Sequence, residues 1–406
     1  MSKEQRNSLF WISLSVLFAL SLWLSASVVS SDLIDFWGID SGMASWISAL
    51  IPIGFVIGTL VSSYFGIADR FDARKIFFIS ALLGSIFNGL ILFTDSASVG
   101  FLLRILTGIT LSGVYPIAVK LLSQWFPTKR GFAMGILIAA LTIGTSFPHA
   151  ASLLFASMDW QLVIITTSIL AFFSAFIVKF LLKDPPGNRK KTVFSFKLIR
   201  NVLSNKPVML ANYGYFGHMW ELYAMWVWLP VFLAASFTNQ FTATWVVPLS
   251  SFLSIGIAGA VGCIIGGFIA DKIGRAKLTI ISLFVSGFSA IIIGFTYGYS
   301  FWLTLLVALV WGTFVISDSA QFSASVSEFA EPEYVGTALT FQMCIGFLIT
   351  IVSINLVPVI QSFVGWEWAF SFLAIGPFLG IIAMKKLNTY ENLEIKKGHL
   401  NNQVNV

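Results

Sequence analysis

An apolar run long enough to cross a bilayer recurs about twelve times along this chain. The runs lie at 8–31, 43–64, 75–94, 100–122, 131–156, 160–182, 208–235, 245–270, 278–297, 300–325, 336–360 and 366–384. A spanning helix needs about 20 apolar residues to cover a hydrocarbon core about 30 Å thick. The chain is 57% hydrophobic and 10% charged, whereas an ordinary soluble domain is about a quarter charged. The solvent for so much apolar surface must be lipid, and an all-α membrane protein of twelve helices is expected. The first run, followed by Ser25-Ala26-Ser27, could pass for a signal peptide. Eleven further runs favour an uncleaved first helix.

Basic residues set the orientation. Of the 24 Lys and Arg residues, all but Arg104 fall at the chain ends or in every second connection. Cytoplasmic loops carry the excess of Lys and Arg, so both termini are expected in the cytoplasm, with the chain in a bacterial inner membrane. The net charge of +6 is therefore a topology signal and not a nucleic-acid footprint. The two cysteines, Cys263 and Cys344, lie in apolar stretches without metal-ligand or disulfide spacing, and read as core packing. Neither a cofactor nor a metal is expected.

The halves of the chain repeat. Phe65-Gly66-Ile67-Ala68-Asp69-Arg70-Phe71-Asp72-Ala73-Arg74-Lys75 follows the second run, and Gly267-Phe268-Ile269-Ala270-Asp271-Lys272-Ile273-Gly274-Arg275-Ala276-Lys277 follows the eighth. Gln124-Trp125-Phe126-Pro127 is echoed by Glu328-Phe329-Ala330-Glu331-Pro332, and Asp159-Trp160 by Glu367-Trp368. A six-plus-six repeat with a midplane site is the plan of many secondary transporters. The expected division is a first bundle over 1–183, a polar and basic cytoplasmic linker over 184–206, a second bundle over 207–387 and a disordered tail over 388–406.

These motifs resemble the signatures of the major facilitator superfamily, over the whole chain. Asp69, Arg70, Arg74 and Lys75 fit its loop signature, although Phe65 and Asp72 stand where glycines are usual; Gly267, Asp271, Gly274, Arg275 and Lys277 fit it better. An acid at a helix end beside a cluster of bases can form a salt-bridged latch that holds one conformation, which gives Asp69, Arg70, Arg74, Asp271 and Arg275 that expected role. Arg104, Gly108, Gly113 and Pro116 match a second signature on the fourth helix. The resemblance implies proton coupling for Arg104; the alternative is snorkelling to the outer interface. On the fifth helix Gly135 and Gly144 keep the spacing of drug–proton antiporters, but Pro148 and His149 replace their Gly-Pro. Membrane arginines and Gly-Asn-rich signatures of the nitrate-type subgroup are not found.

Ionisable groups inside spanning helices are costly and mark function. On the seventh helix Gly214, His218, Glu221, Met225 and Trp228 share a face by three-and-four spacing. His218 and Glu221 are expected to neighbour each other and trade a proton; mutual packing is the alternative. Trp220, Tyr223, Trp226 and Trp228 read mainly as an aromatic belt at the outer interface, with Trp228 on the Glu221 face. Asp318 and Gln321, one turn apart on the tenth helix, are expected to face a cavity, to form a cytoplasmic latch or simply to be exposed. His149 either faces the cavity or caps a broken helix. Asn88, Gln342 and Asn355 read as interhelical hydrogen-bonders.

The expected function is secondary active transport of a small polar or anionic organic solute, coupled to protons and working by alternating access as a monomer. Proton-driven export of drugs or amphiphiles and an uncoupled uniporter are the alternatives. There is no nucleotide-binding loop, no nucleophile–base set and no soluble output domain, which disfavours ATP-driven transport, an enzyme or a sensor.

Overall fold

The computed structural model describes residues 1–40, 43–126, 130–154, 159–184, 198–238, 243–331 and 333–404. Regular structure among them is helical, and eleven helical stretches are long and apolar enough to cross a bilayer. The N-terminal run differs from the expected single span. It is cut into α1 (Lys3–Leu20), α2 (Ser25–Val28) and α3 (Ser30–Trp37). Ser21 Oγ donates to the Phe18 carbonyl at 2.7 Å, and such side-chain bonds compete with the helical ladder.

The first half continues through α4 (Ala44–Tyr64), α5 (Ile67–Arg70), α6 (Ala73–Gly89), α7 (Ala97–Leu111), α8 (Tyr115–Trp125), α9 (Arg130–Leu154) and α10 (Gln161–Phe180). A short α11 (Ile199–Ser204) leads into the 32-residue α12 (Lys206–Phe237). Then α13 (Val246–Ser251) passes through a π-helical segment, Phe252–Ala258, into α14 (Gly259–Ile273). Finally come α15 (Arg275–Phe295), α16 (Phe301–Ser317), α17 (Ser319–Phe329), α18 (Val335–Val364) and α19 (Ile375–Val404). Of the expected linker, residues 185–197 lie outside the described residues. Within the tail expected to be disordered, residues 388–404 instead continue α19, and Glu391 among them accepts from the Ala276 N–H at 3.2 Å.

Two helix breaks occupy corresponding places. The helix before Pro116 opens between α7 and α8, and that at Asp318 opens between α16 and α17. Pro116 has no N–H to donate back to the preceding turn, which accounts for the first break.

The halves meet along their whole length. Between α4 and α18, Ser45 Oγ donates to Asn355 Oδ1 at 2.8 Å, the Phe55 and Phe347 rings lie 4.6 Å apart, and the Ser63 and Thr340 hydroxyls are 3.2 Å apart. Between α9 and α14, Phe132 meets Phe268 at 5.6 Å, and Thr142 Oγ1 lies 3.9 Å from Cys263 Sγ. Contacts along these two helix pairs thus run from the basic end, which holds the Arg70–Lys75 and Asp271–Lys277 segments, toward the opposite end.

Two of the glycines that allow close approach inside the first half join α4 to α7. A Cβ at Gly108 would run into the Ile51 carbonyl oxygen, and one at Gly54 into that of Ile105. Both obstacles are backbone, so neither can swing away. Gly108→Val should destabilise the protein by about 1–3 kcal/mol through overpacking, read as a lower melting temperature in detergent. An unchanged melting temperature would refute this packing account.

Candidate functional site

The broken N-terminal helix has a partner in the one basic residue that topology left over. Arg104, on α7, is completely buried and does not reach an interface. Its Nη1 donates to the Leu22 carbonyl at 3.2 Å, Nη2 to that of Trp23 at 2.8 Å and Nε to that of Ile47 at 3.3 Å. Leu22 and Trp23 sit in the break, where carbonyls lose their intrahelical partners. Ser25 extends the set: it lies 3.3 Å from Nη1 and donates to Asn88 Oδ1 at 2.7 Å. Asn88 Nδ2 in turn donates to Ser168 Oγ at 2.9 Å. One guanidinium therefore holds the break open and ties it to α4, α6 and α10. Outer-side snorkelling is excluded by this burial.

The buried acids and histidine of the second half are arranged differently from the expected His218–Glu221 pair. His218 Nδ1 lies 3.0 Å from Asp318 Oδ1, and both side chains are 1% exposed. Helix spacing does keep Glu221 one turn away on α12, but its partners are others. Ser286 Oγ donates to its Oε2 at 2.8 Å, and the Trp311 indole N–H donates to its Oε1 at 2.7 Å. Asp318 comes within reach because it stands at the α16–α17 break, off the regular register of either helix. His218 Nε2 and both carboxyl oxygens of Asp318 have no hydrogen-bonding partner among the described residues, so the 3.0 Å approach is a charge contact without hydrogen-bond alignment. An imidazole and a carboxyl at this distance can hold one proton between them or exist as an ion pair. Desolvation penalises the separated charges, so the pair responds to anything that wets or opens the site.

The aromatic residues also sit where the periodicity did not put them. Tyr223 and Trp226 are buried, and not in an interfacial belt. Tyr223 meets Trp23 from the helix break at 5.4 Å and Phe347 from α18 at 5.4 Å, while Trp23 meets Phe55 at 5.6 Å. Four elements from both halves thus converge on one aromatic cluster. Trp226 packs on Tyr223 at 5.2 Å, and its buried indole N–H has no partner among the described residues. Trp228 turns to α18, where Nε1 donates to the Ile354 carbonyl at 2.8 Å.

Other expected positions divide between the two ends. His149 is buried in an unbroken α9, so it caps no helix break, and its Nε2 has no partner among the described residues. Gln321 belongs to the basic end: Arg275 donates to its Oε1 at 3.0 Å and, through Nε, to Glu328 Oε1 at 2.9 Å. Asp271 lies against Gly131 at the start of α9, across the boundary between halves. Arg74 pairs with Asp184 at 2.8 Å and donates to the Leu182 carbonyl, joining α6 to the end of α10. Arg70 is exposed and pairs with no described side chain, and the side chain of Asp69 lies outside the described residues. Of the residues expected to form a latch, Arg74, Asp271 and Arg275 lie at the basic end, where Arg74 pairs with Asp184 and Arg275 with Glu328, each within its own half; motif reading missed both acids. Trp311 was missed as well. Its sequence signal is a tryptophan in mid-helix, away from the interfaces that ordinarily hold one.

Comparison with known proteins follows the same lines. The Major Facilitator Superfamily model matches residues 11–352. A Bacillus subtilis protein assigned as a niacin/nicotinamide transporter is 25% identical over 340 residues, 80% of this chain and 82% of that protein. An Escherichia coli protein assigned to L-galactonate transport is 25% identical over 244 residues, 53% of each chain. In fold, the chain superposes on the crystal structure of a human organic anion transporter with a TM-score of 0.73, at 14% identity, covering 94% of this chain and 100% of that one. A repeat-built membrane fold with halves in contact from end to end, and a family match over most of its length, place this chain in the Major Facilitator Superfamily of transporters.

Proposed function

We propose that this chain is a proton-coupled secondary transporter that imports a small organic anion by alternating access. The observation that carries the reading is the buried cluster of His218, Asp318 and Glu221, on the same stretch of α12 as Tyr223 of the aromatic cluster where the halves meet. Ionisable groups placed so deep have no structural necessity in an apolar bundle and mark proton relays. The basic end is assigned to the cytoplasm of the inner membrane, by the sorting of Lys and Arg, and the working unit is a monomer. Relatives named for niacin and for L-galactonate support an organic acid as substrate.

Between an aromatic and a sugar acid, the midplane favours the flat ring. Trp23, Phe55, Tyr223 and Phe347 pack on one another where the halves meet, and parting of the halves would free ring faces that stack on planar π-systems. The Trp226 N–H offers a donor for a carboxylate. Hydroxylated sugar acids need many polar partners, and these rings supply few.

Binding of radiolabelled aromatic carboxylates and of galactonate to the purified protein separates the two. Aromatic acids should bind and galactonate should not, and the opposite order would overturn the choice. A hydrogen bond to a charged group is worth about 1.5–3 kcal/mol. Trp226→Phe, which keeps the ring and removes the donor, should therefore weaken binding about tenfold or more. Unchanged affinity in that variant would remove Trp226 from the site.

A further inference from the structure

On the membrane-facing side of the first half, at the basic end, the start of α6 and the end of α10 enclose a groove of about 400 Å³. Its walls are Asp72, Arg74, Lys75, Phe78, Ile79 and Lys179. That volume falls in the range of about 300–1,000 Å³ typical of ligand sites. Three cations thus border a slot with an apolar floor. Asp72 is the N-cap of α6 and accepts from the Arg74 and Lys75 backbone N–H groups at 2.9 and 3.1 Å. Asp184 is taken by Arg74. Lys75 is exposed and forms no ion pair among the described residues. The ammonium of Lys179 rests over the Phe78 ring at 4.3 Å, and no described carboxylate holds it. Arg74 keeps a buried Nε without a hydrogen-bonding partner among the described residues.

Below the groove an apolar track leads toward the opposite end. Ile79, Leu83 and Ile86 are exposed at four- and three-residue spacing, on one face of α6. Phe172 and Phe176 line the neighbouring face of α10, 4.7 Å apart, and Phe78 packs on Phe176 at 5.6 Å. A basic slot at the membrane surface continuing into an apolar track matches one kind of molecule in both chemistry and direction.

We propose that this groove binds one anionic phospholipid, its phosphate between Lys75, Lys179 and Arg74 and an acyl chain along the Ile79–Leu83–Ile86 face. Cationic side chains at a membrane surface hold anionic headgroups, and the track supplies what a soluble phosphate cannot use. Bound there, the lipid bridges α6 to α10 beside the Arg74–Asp184 contact, and so ties the bilayer to the loop end of the first half.

Native mass spectrometry of the purified full chain tests this, with phosphatidylglycerol and phosphatidylcholine of identical acyl chains added together. One phosphatidylglycerol should be retained per protein in preference to phosphatidylcholine. The double variant Lys75→Gln, Lys179→Gln should lower its retention about thirtyfold, whereas Lys75→Arg, Lys179→Arg should keep it. Both lysines are exposed, so the melting temperature in lipid-free detergent should not move; should the double variant not be recovered, Lys179→Gln alone should lower retention about fivefold. Equal retention of both lipids, or full retention in the Gln variants, would overturn the proposal. Displacement of phosphatidylglycerol by millimolar inorganic phosphate would also overturn it, since a phosphate-only site needs no acyl track.

Discussion

Asp318→Asn should abolish accumulation of substrate against its gradient, lowering proton-driven uptake about a hundredfold, while substrate exchange across the membrane persists. A hundredfold corresponds to about 2.8 kcal/mol of coupling free energy lost. The argument starts from the contact: His218 Nδ1 and Asp318 Oδ1 are 3.0 Å apart and sealed from water. Asparagine is nearly isosteric but cannot carry the proton, and beside it a charged His218 would lack its counter-ion. Removing one partner of a buried pair costs about 3–5 kcal/mol when the remaining charge cannot neutralise itself. An imidazole can release its proton, so the protein should still fold. Glu221→Gln is the control within the same cluster. A glutamine can accept from the Trp311 N–H through its oxygen and donate to Ser286 through its amide. Folding should survive there too, and any loss of coupling would place Glu221 on the proton route. Wild-type accumulation by Asp318→Asn would remove the pair from that route.

Arg104→Gln should be the most destabilising single change in the first half. The guanidinium satisfies the carbonyls of Leu22, Trp23 and Ile47 from one position. Glutamine is shorter and brings one donor group in place of a fork, so at least two of these carbonyls lose their partner. Each unsatisfied buried group costs about 1–3 kcal/mol, giving a loss of about 2–6 kcal/mol. Arg104→Lys should fall between, because an ammonium cannot span acceptors from α4 and the helix break together. Thermal unfolding in detergent reads the series, and an order other than Arg, Lys, Gln would contradict the assigned role.

These two residues also show what was legible in the sequence. Arg104 was conspicuous because the positive-inside pattern left it unexplained, yet its purpose was hidden. The break it serves comes from Ser21 and its neighbours bonding locally, and a hydropathy window averages that away. His218 was visible as an ionisable group in a membrane helix, but one-dimensional spacing offered Glu221 as the partner. Asp318 won because a break in its helix moved it, and three-and-four spacing assumes an unbroken helix. The charged segments at the basic end are readable from their motifs, whereas Glu328 and Asp184, their partners, are far away in sequence and carry no local signal. Tyr223 and Trp226 were misplaced for a related reason. Tyrosine and tryptophan suit both an interface and a core, and only packing against Trp23 and Phe347 decides between them. The apolar runs and the basic sorting were readable because they are imposed by the bilayer itself, independent of which helices touch.

The central claim is that movement of an organic anion by this protein is tied to movement of protons through the His218–Asp318 pair. Purified protein in liposomes loaded with a pH-sensitive dye, challenged with an outside aromatic carboxylate at zero membrane potential, measures that link directly. The internal pH should fall as substrate enters with wild-type protein and stay constant with Asp318→Asn. Substrate entry by the wild type without any change of internal pH would contradict the account and leave an uncoupled uniporter in its place.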